Sequence, residues 1–479
     1  MEQREILRTN VKLSFRTKLC FAMGDIYSGG FFNLINFFYA YFLTDVMRIN
    51  PVWAGAIFTV SKIWDAVTDP LMGVISDRTK SRWGRRRPYF LWGIPLILLS
   101  FTLMWFPLSG GTEASRVLFF ALAYMLANTV ATFVQVPFLS MTAEISTDYR
   151  ERNSISGIRM FVSLCSSLVC AVVPMLIVGM YQDVRTGYFV MAVVFGLFFA
   201  LPWLLVFRVK EPPVFSMAAE RNKGVFRPML QTFRVRSFRK LIYVYLGIFV
   251  TMDLVSMIMA YFMTYIIGRP DELTFVLGAL LICEVVMIPL ATLCTNRFGK
   301  LKAVVWGCAG WAAVCLGMLA LNSAQPGWCV YALACAAGMV MAFPLVGIIS
   351  LFGDVTDVGE LYFSRRMEGA FFGMQQLTRK CASAVANGVT LALLGLAGYV
   401  TPPEGLASVA QAPPVLLCIR LIMSLTAPVL LIPSIIVACT WKLTPERHAR
   451  LIQYLDKKRA GAPVSAGEEA EAEALKRIL

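Results

Sequence analysis

A single histidine, His448, stands among 479 residues, and only 15% of the chain is charged. The first scarcity removes a histidine relay at neutral pH as a way of carrying protons through the molecule. The second removes an ordinary water-facing globular surface, since a soluble domain has roughly a quarter of its residues charged. Paired CxxC spacing is missing too. The twelve cysteines fall singly inside apolar stretches, as at Cys165, Cys170, Cys283 and Cys315, and read as small hydrophobes rather than metal or redox ligands. No repeated pore loop or filter sequence occurs, which argues against a channel. The N-terminus MEQREILRTNVKLSFRTK is charged for too long, and lacks the small-residue cleavage site, to be a removable signal peptide.

What fills the chain instead is apolar sequence: 58% of residues are hydrophobic and the mean hydropathy is +0.67. A helix that crosses a bilayer needs about 20 mostly apolar residues. Such runs recur at 19–46, 51–76, 89–108, 117–144, 157–180, 187–207, 241–267, 273–295, 303–322, 327–350, 367–395 and 413–441. The pattern predicts an all-α membrane protein of about twelve transmembrane helices.

The formal net charge of +15 raises nucleic acid as a partner, but that needs the cations on one face or arm. They are instead sorted by connection. The N-terminus, the even-numbered connections and the tail hold all but nine of the 44 Lys and Arg; four others (Arg48, Arg116, Arg185, Arg269) lie in odd-numbered connections and five lie inside spans. Short cytoplasmic loops are the ones enriched in Lys and Arg, so both termini are predicted to be cytoplasmic, with membrane lipid as the partner of the basic surface and no nucleic acid. Between Arg208 and Lys240 the apolar pattern stops in a basic, proline-bearing stretch. The expected organisation is a six-helix bundle over 1–208, a cytoplasmic linker over 209–240, a second six-helix bundle over 241–441 and a cytoplasmic tail over 442–479. Two such bundles rocking about a central site describe a secondary transporter.

A charge at the bilayer centre costs at least a few kcal/mol, so each one retained there is a functional candidate. The second span is the richest. Lys62, Asp65 and Asp69 follow one another at spacings of three and four and share one helical face, with Thr68 beside them. Two carboxylates and a hydroxyl offer hard oxygen ligands to Na⁺ or H⁺, and Lys62 can satisfy a carboxylate when the cation is gone. The bland alternative is a buried ion pair that sets helix register. Asp25, Asp253 and Glu368 are further intramembrane candidates, and Lys380, midway in the eleventh span, can neutralise a carboxylate of the second. Asp45, Glu144 and Asp357 lie near span ends, where a solvated or interfacial role is expected ahead of chemistry. Tyr27, Phe31, Tyr124 and Trp64 are candidate cavity-lining aromatics, with core packing as the plainer alternative. In the loop SDRTKSRWGRRRP, Asp77 can cap a helix end or pair with Arg78, Arg82 or Arg85, which makes the loop a candidate gate beside its role in orientation.

The motifs TDV at 44–46, WDAVTDPLMG at 64–73, SDRTKSRWGRRRP at 76–88, VPF at 136–138, DYRERN at 148–153, GELYFSRRMEGAFFG at 359–373 and RKCASA at 379–384 cover the whole membrane region. Together they resemble the glycoside-pentoside-hexuronide cation symporters, the melibiose permease group. The resemblance implies the major facilitator fold of two six-helix bundles and cation-coupled symport by alternating access. It places Asp65 and Asp69 on the family's cation-binding aspartates, Thr132 on a fourth-span threonine that helps hold Na⁺, Lys380 on the eleventh-span lysine and Arg159 on a fifth-span arginine beside the sugar. Lys62 stands where the family has an arginine. The sugar-holding aspartates of the first and fourth spans read Gly29 and Gln135 here; Gln135 can still bond a hydroxyl, but melibiose itself is disfavoured.

The reading is therefore a symporter of a sugar or glycoside, with a monovalent cation and a small-molecule solute as partners and no cofactor beyond the coupling ion. Thr132 adds the neutral oxygen that favours Na⁺ over H⁺. A functional monomer in a bacterial inner membrane is expected. The alternative is a Na⁺-coupled lysophospholipid symporter, since the eukaryotic sodium-dependent lysophosphatidylcholine transporters keep the second-span aspartates. An intramembrane prenyltransferase also uses DxxxD spacing, to hold Mg²⁺ and a diphosphate, but needs a second acidic motif at the same mouth, whereas Asp354 and Asp357 are expected in a loop after the tenth span.

Overall fold

The computed structural model describes residues 13–108, 110–145, 149–211, 226–364, 367–403, 409–459 and 466–478. All regular structure among them is helical. The helices begin where local chemistry lets them. Asn50 accepts from the Val52 amide at 2.9 Å ahead of Pro51, so the second span (Pro51–Arg78) starts with a capped donor and a residue pre-set for a helix. Thr112 caps the fourth (Glu113–Glu144), and Asp183 caps the sixth (Val184–Ala200, continued by Trp203–Arg208).

Nine helices among the described residues are long and apolar enough to cross a membrane by length and composition. The three spans missing from that set are informative. The second span and the eleventh (Glu368–Leu396) are long, but the charged and polar residues that make them candidates also lower their hydropathy. The first is broken. It runs as Phe15–Ala22 and Asp25–Leu34 and then widens into π-type turns at Ile35–Tyr39 and Phe42–Val46. Boundaries also shift from the apolar pattern. The fifth span covers Tyr149–Gly179, the seventh starts at Arg236, and the tenth continues to Phe363. Asp354 and Asp357 are therefore helical, not in a loop, because the last turns of that helix extend past its apolar stretch. The tail forms two helices, Pro445–Arg459 and Ala466–Ile478.

The chain divides into two compact units: Met1–Ala219 with Leu391–Ala410, and Glu220–Thr390 with Gln411–Leu479. The core of the first is aromatic. Trp105 stacks on Tyr188 (5.6 Å between ring centres), Phe90 on Trp203 (5.4 Å), and Tyr27 packs against Phe31, Phe199 and Trp203. The second unit relies on close helix approach. At Gly338 an added Cβ would stand 2.1 Å from the Leu280 carbonyl oxygen, so only glycine lets the tenth span (Trp328–Phe363) lie this near the eighth (Leu273–Phe298). Leu118, Leu122, Val286, Leu293, Val429 and Ile436 are exposed along the spans, as residues facing lipid tails would be.

Candidate cation and solute site

In the first unit, the i, i+4 spacing of Asp65 and Asp69 turns both carboxylates toward the fourth span. There Thr132 Oγ1 lies 2.8 Å from Asp65 Oδ1 and 2.8 Å from Asp69 Oδ1. Asp65 is only 1% exposed and Thr132 is also buried. A hydroxyl has one hydrogen, so it can donate fully to one carboxylate at a time. The other close oxygen pair, like the repulsion between neighbouring carboxylates, is relieved by positive charge or by a proton. Lys62 is buried on the same helix, with Nζ 4.8 Å from the centre of the Phe32 ring. Thr68 donates to the Asp65 carbonyl at 3.1 Å. Trp64 is largely exposed, and its indole N–H donates to Thr129 at 2.9 Å.

Two residues assigned separate roles turn out to be partners. Arg159 grips Asp25 with both arms of its guanidinium, Nε to Oδ2 at 2.5 Å and Nη2 to Oδ1 at 3.0 Å, while Nη1 donates to Thr142 at 2.7 Å. Its guanidinium lies over the Phe138 ring, 4.6 Å from the centre. Gly29 is a packing position: a Cβ there would lie 2.5 Å from the Ser163 carbonyl oxygen, so its role is to let the first and fifth spans touch. Tyr27 belongs to the aromatic core described above and is fully buried, as its core-packing alternative expects. Gln135 is half-buried, and its Nε2 is a buried donor with no hydrogen-bond partner.

In the second unit, Asp253 of the seventh span accepts from Ser383 at 2.7 Å and faces Arg379 Nη2 at 3.6 Å. Arg379 stacks over Phe249, 4.4 Å from the ring centre. Lys380 follows on the same helix, half-buried. Glu284 is buried in the eighth span. Asp354 and Asp357 are engaged within this unit: Lys300 Nζ is 2.7 Å from Asp354 Oδ1, and His448 Nε2 is 3.0 Å from Asp357 Oδ2 and 3.7 Å from Asp354 Oδ1. The side chains of Glu368, Asp77 and Arg78 lie outside the described residues.

Three contacts had no local signal. Glu211, an acid in a basic stretch, accepts from the backbone amides of Arg85, Arg86 and Arg87 at 2.8, 2.7 and 2.7 Å. Gly84, at φ +110°, lets the chain turn into that cradle, and Arg87 Nε donates to the Phe207 carbonyl at 2.7 Å. The loop after the second span is thus tied to the end of the sixth. Asp45, expected to be solvated or interfacial, is buried and accepts from Tyr399 Oη at 2.8 Å on each oxygen. Ser61 and Asn128, both buried, stand one turn from Asp65 and Thr132.

The family described as MFS/sugar transport protein matches residues 20–445. An Escherichia coli (strain K12) protein named as a candidate glycoside/cation symporter, YagG, is 26% identical over 96% of this chain and 99% of its own length. The sodium-dependent lysophosphatidylcholine symporter 1-B of Danio rerio is 25% identical over 97% of this chain and 94% of its own. Among solved structures, a D-xylose-proton symporter superposes with a TM-score of 0.65 at 15% identity, covering 90% of this chain and 98% of that one, a likeness of fold.

Proposed function

The chain belongs to the MFS/sugar transport protein family, and from that premise we propose that it couples a monovalent cation, held by Asp65, Asp69 and Thr132, to the uptake of a sugar or glycoside by alternating access. The observation that carries this is the Thr132 hydroxyl set 2.8 Å from a carboxylate oxygen on each side. Such a site is acidic enough to hold one cation and rigid enough to sense whether it is present, because the two aspartates share a helix and the threonine comes from its neighbour. Na⁺ is the preferred ion: a neutral hydroxyl oxygen contributes to a hard-cation shell and is superfluous for a proton. Gln135, with its unpartnered buried amide, and Arg159 and Lys380 are the proposed solute contacts. Arg159 meets the solute already charge-balanced by Asp25, which suits a neutral polyol better than a free cation would. The proposed setting is a bacterial inner membrane, with both termini cytoplasmic and the monomer as the working unit.

A second reading keeps the cation site and changes the cargo to a lysophospholipid. The relative from Danio rerio supports it, as does the absence of a carboxylate at Gly29 and Gln135. Uptake into vesicles of reconstituted protein, with a panel of glycosides and a lysophosphatidylcholine and with imposed Na⁺ or H⁺ gradients, separates the readings. Sodium-driven glycoside accumulation is the expected result. Accumulation that follows a proton gradient and ignores Na⁺ would remove the sodium assignment, and lysolipid uptake alone would remove the sugar.

A further inference from the structure

Asp25 is held by Arg159, Asp253 by Ser383 and Arg379, and Asp45 by Tyr399. Glu284 has no such company. It is 6% exposed, and no hydrogen bond or ion pair among the described residues engages its carboxyl. The residue stands near the middle of the eighth span, about 17 Å of helix from the nearer end, so a side chain there cannot reach either membrane interface. Leu277, Leu281 and Ala291 are buried on the same helical face. The tenth span passes closely beside it: a Cβ on Gly338 would stand 3.1 Å from the Glu284 amide nitrogen.

The elements packed on the eighth span are the ninth (Lys300–Gly317), the tenth and the turn Pro270–Glu272. Their charges sit toward the ends. Lys300 and Lys302 open the ninth span, Asp354, Asp357 and Glu360 lie in the last turns of the tenth, Asp271 and Glu272 precede the eighth, and Arg297 closes it. The remaining ionisable side chains of these elements are cysteines and tyrosines, with Cys335 against Cys283, and none of them brings positive charge to Glu284. A lone carboxylate buried in this way is among the costliest charges a membrane protein can carry, and a proton is the smallest ligand that removes it. A permanently neutral acid would still leave its hydroxyl unbonded, a cost that a leucine avoids, so packing alone does not account for it.

We propose that Glu284 is a proton-binding site of the second unit, taking up a proton from one side of the membrane and releasing it on the other, so that a proton crosses with the solute in addition to the cation held in the first unit. This rests on the symport reading above. One O–H bond forms at a carboxylate oxygen and later breaks, with water as donor and acceptor, and no electron moves.

Two measurements on the full chain test it. Infrared spectra of the purified protein should contain the carbonyl band of a protonated carboxyl, shifted in heavy water, part of which is lost in Glu284→Gln; an unchanged band overturns the inference. In vesicles of reconstituted protein enclosing a pH-sensitive dye, with Na⁺ equal on both sides, adding the glycoside or lysophosphatidylcholine that the parent accumulates should move protons inward. Glu284→Gln should lose that movement, and Glu284→Asp, which keeps a carboxyl, should retain it. A Glu284→Gln protein that unfolds at the parent's temperature and still moves protons with solute makes the acid a structural one, which overturns the inference and leaves Na⁺-coupled symport standing. The parent's own behaviour needs no variant: Na⁺-driven uptake without proton movement overturns the inference as well. Failure of the parent to take up any solute would instead overturn the symport reading, and the infrared band then decides whether Glu284 holds a proton.

Discussion

Each of the two units pairs an arginine with a buried aspartate, and they do it with different completeness. In the first, Arg159 is bidentate on Asp25, bonded to Thr142 and 14% exposed at its side chain. In the second, Arg379 reaches Asp253 at 3.6 Å, is 34% exposed, and shares that carboxylate with Ser383. The first pair is closed, with each carboxylate oxygen accepting from the guanidinium. The second is looser, and its arginine has Lys380 beside it on the same helix. The carboxylate pair around a hydroxyl occurs in the first unit, as Asp65, Asp69 and Thr132. The difference teaches that an ion pair inside a membrane is not a site by itself.

The sharpest way to break that contrast is to move the cation chemistry. Asp69→Cys should weaken Na⁺ stimulation of uptake about a hundredfold, the loss of roughly 3 kcal/mol from one charged ligand. Asp253→Asn should change it by no more than about twofold. The Na⁺ concentration giving half-maximal uptake is the measurement. An Asp69→Cys protein that accumulates solute with normal Na⁺ stimulation would move the coupling site elsewhere.

How much each pair contributes to folding is tested by stability. Arg159→Gln leaves Asp25 buried without its counter-charge and should cost about 3–5 kcal/mol, whereas Arg379→Gln leaves Asp253 bonded to Ser383 and should cost less than about 2 kcal/mol. Thermal unfolding in detergent ranks the two; a reversed order would make Arg379 the structural residue. A smaller effect is expected at Glu211. Removing its carboxylate in Glu211→Ala leaves three backbone amides unbonded, a loss of about 2 kcal/mol, and trypsin should cut after Arg85 and Arg86 faster. Equal cleavage would mean that the loop is held by its arginines instead.

The smallest effect is a pH dependence confined to the second unit. His448 is held above its ordinary value of 6.5, first by its hydrogen bond to Asp357, with Asp354 adding attraction while burial and Lys300 oppose it. A raised value in the docked state means that the contribution is complete below about pH 6.5 and is lost as pH rises through the docked value. Docking of helix Pro445–Arg459 should therefore be tighter at pH 6 than at pH 9 by less than about 1 kcal/mol. Proteolysis after Arg450 at the two pH values reads it, and His448→Gln should abolish the difference.

The span count, the grouping of basic residues and the shared face of Lys62, Asp65 and Asp69 were legible because hydropathy, charge and helical period are local properties. Thr132 was named only through resemblance, since 67 residues separate it from Asp65. Tyr27 carried two readings because an aromatic that packs and one that lines a cavity look alike in a sequence. The break in the first span was missed because the apolar run crosses it without interruption.

By itself the sequence determined that the chain is a bundle of membrane helices with acids and bases on particular faces, because a charge inside an apolar run can only be retained at a cost and so announces itself. The tertiary structure decided which partners those charges find. Asp25 found Arg159 across 134 residues, Asp45 found Tyr399 across 354, and Glu211 found three backbone amides that no side-chain pattern encodes. Those partnerships depend on how helices distant in sequence pack, and packing is settled by the fit of whole surfaces such as the close approach at Gly29, not by any residue read alone.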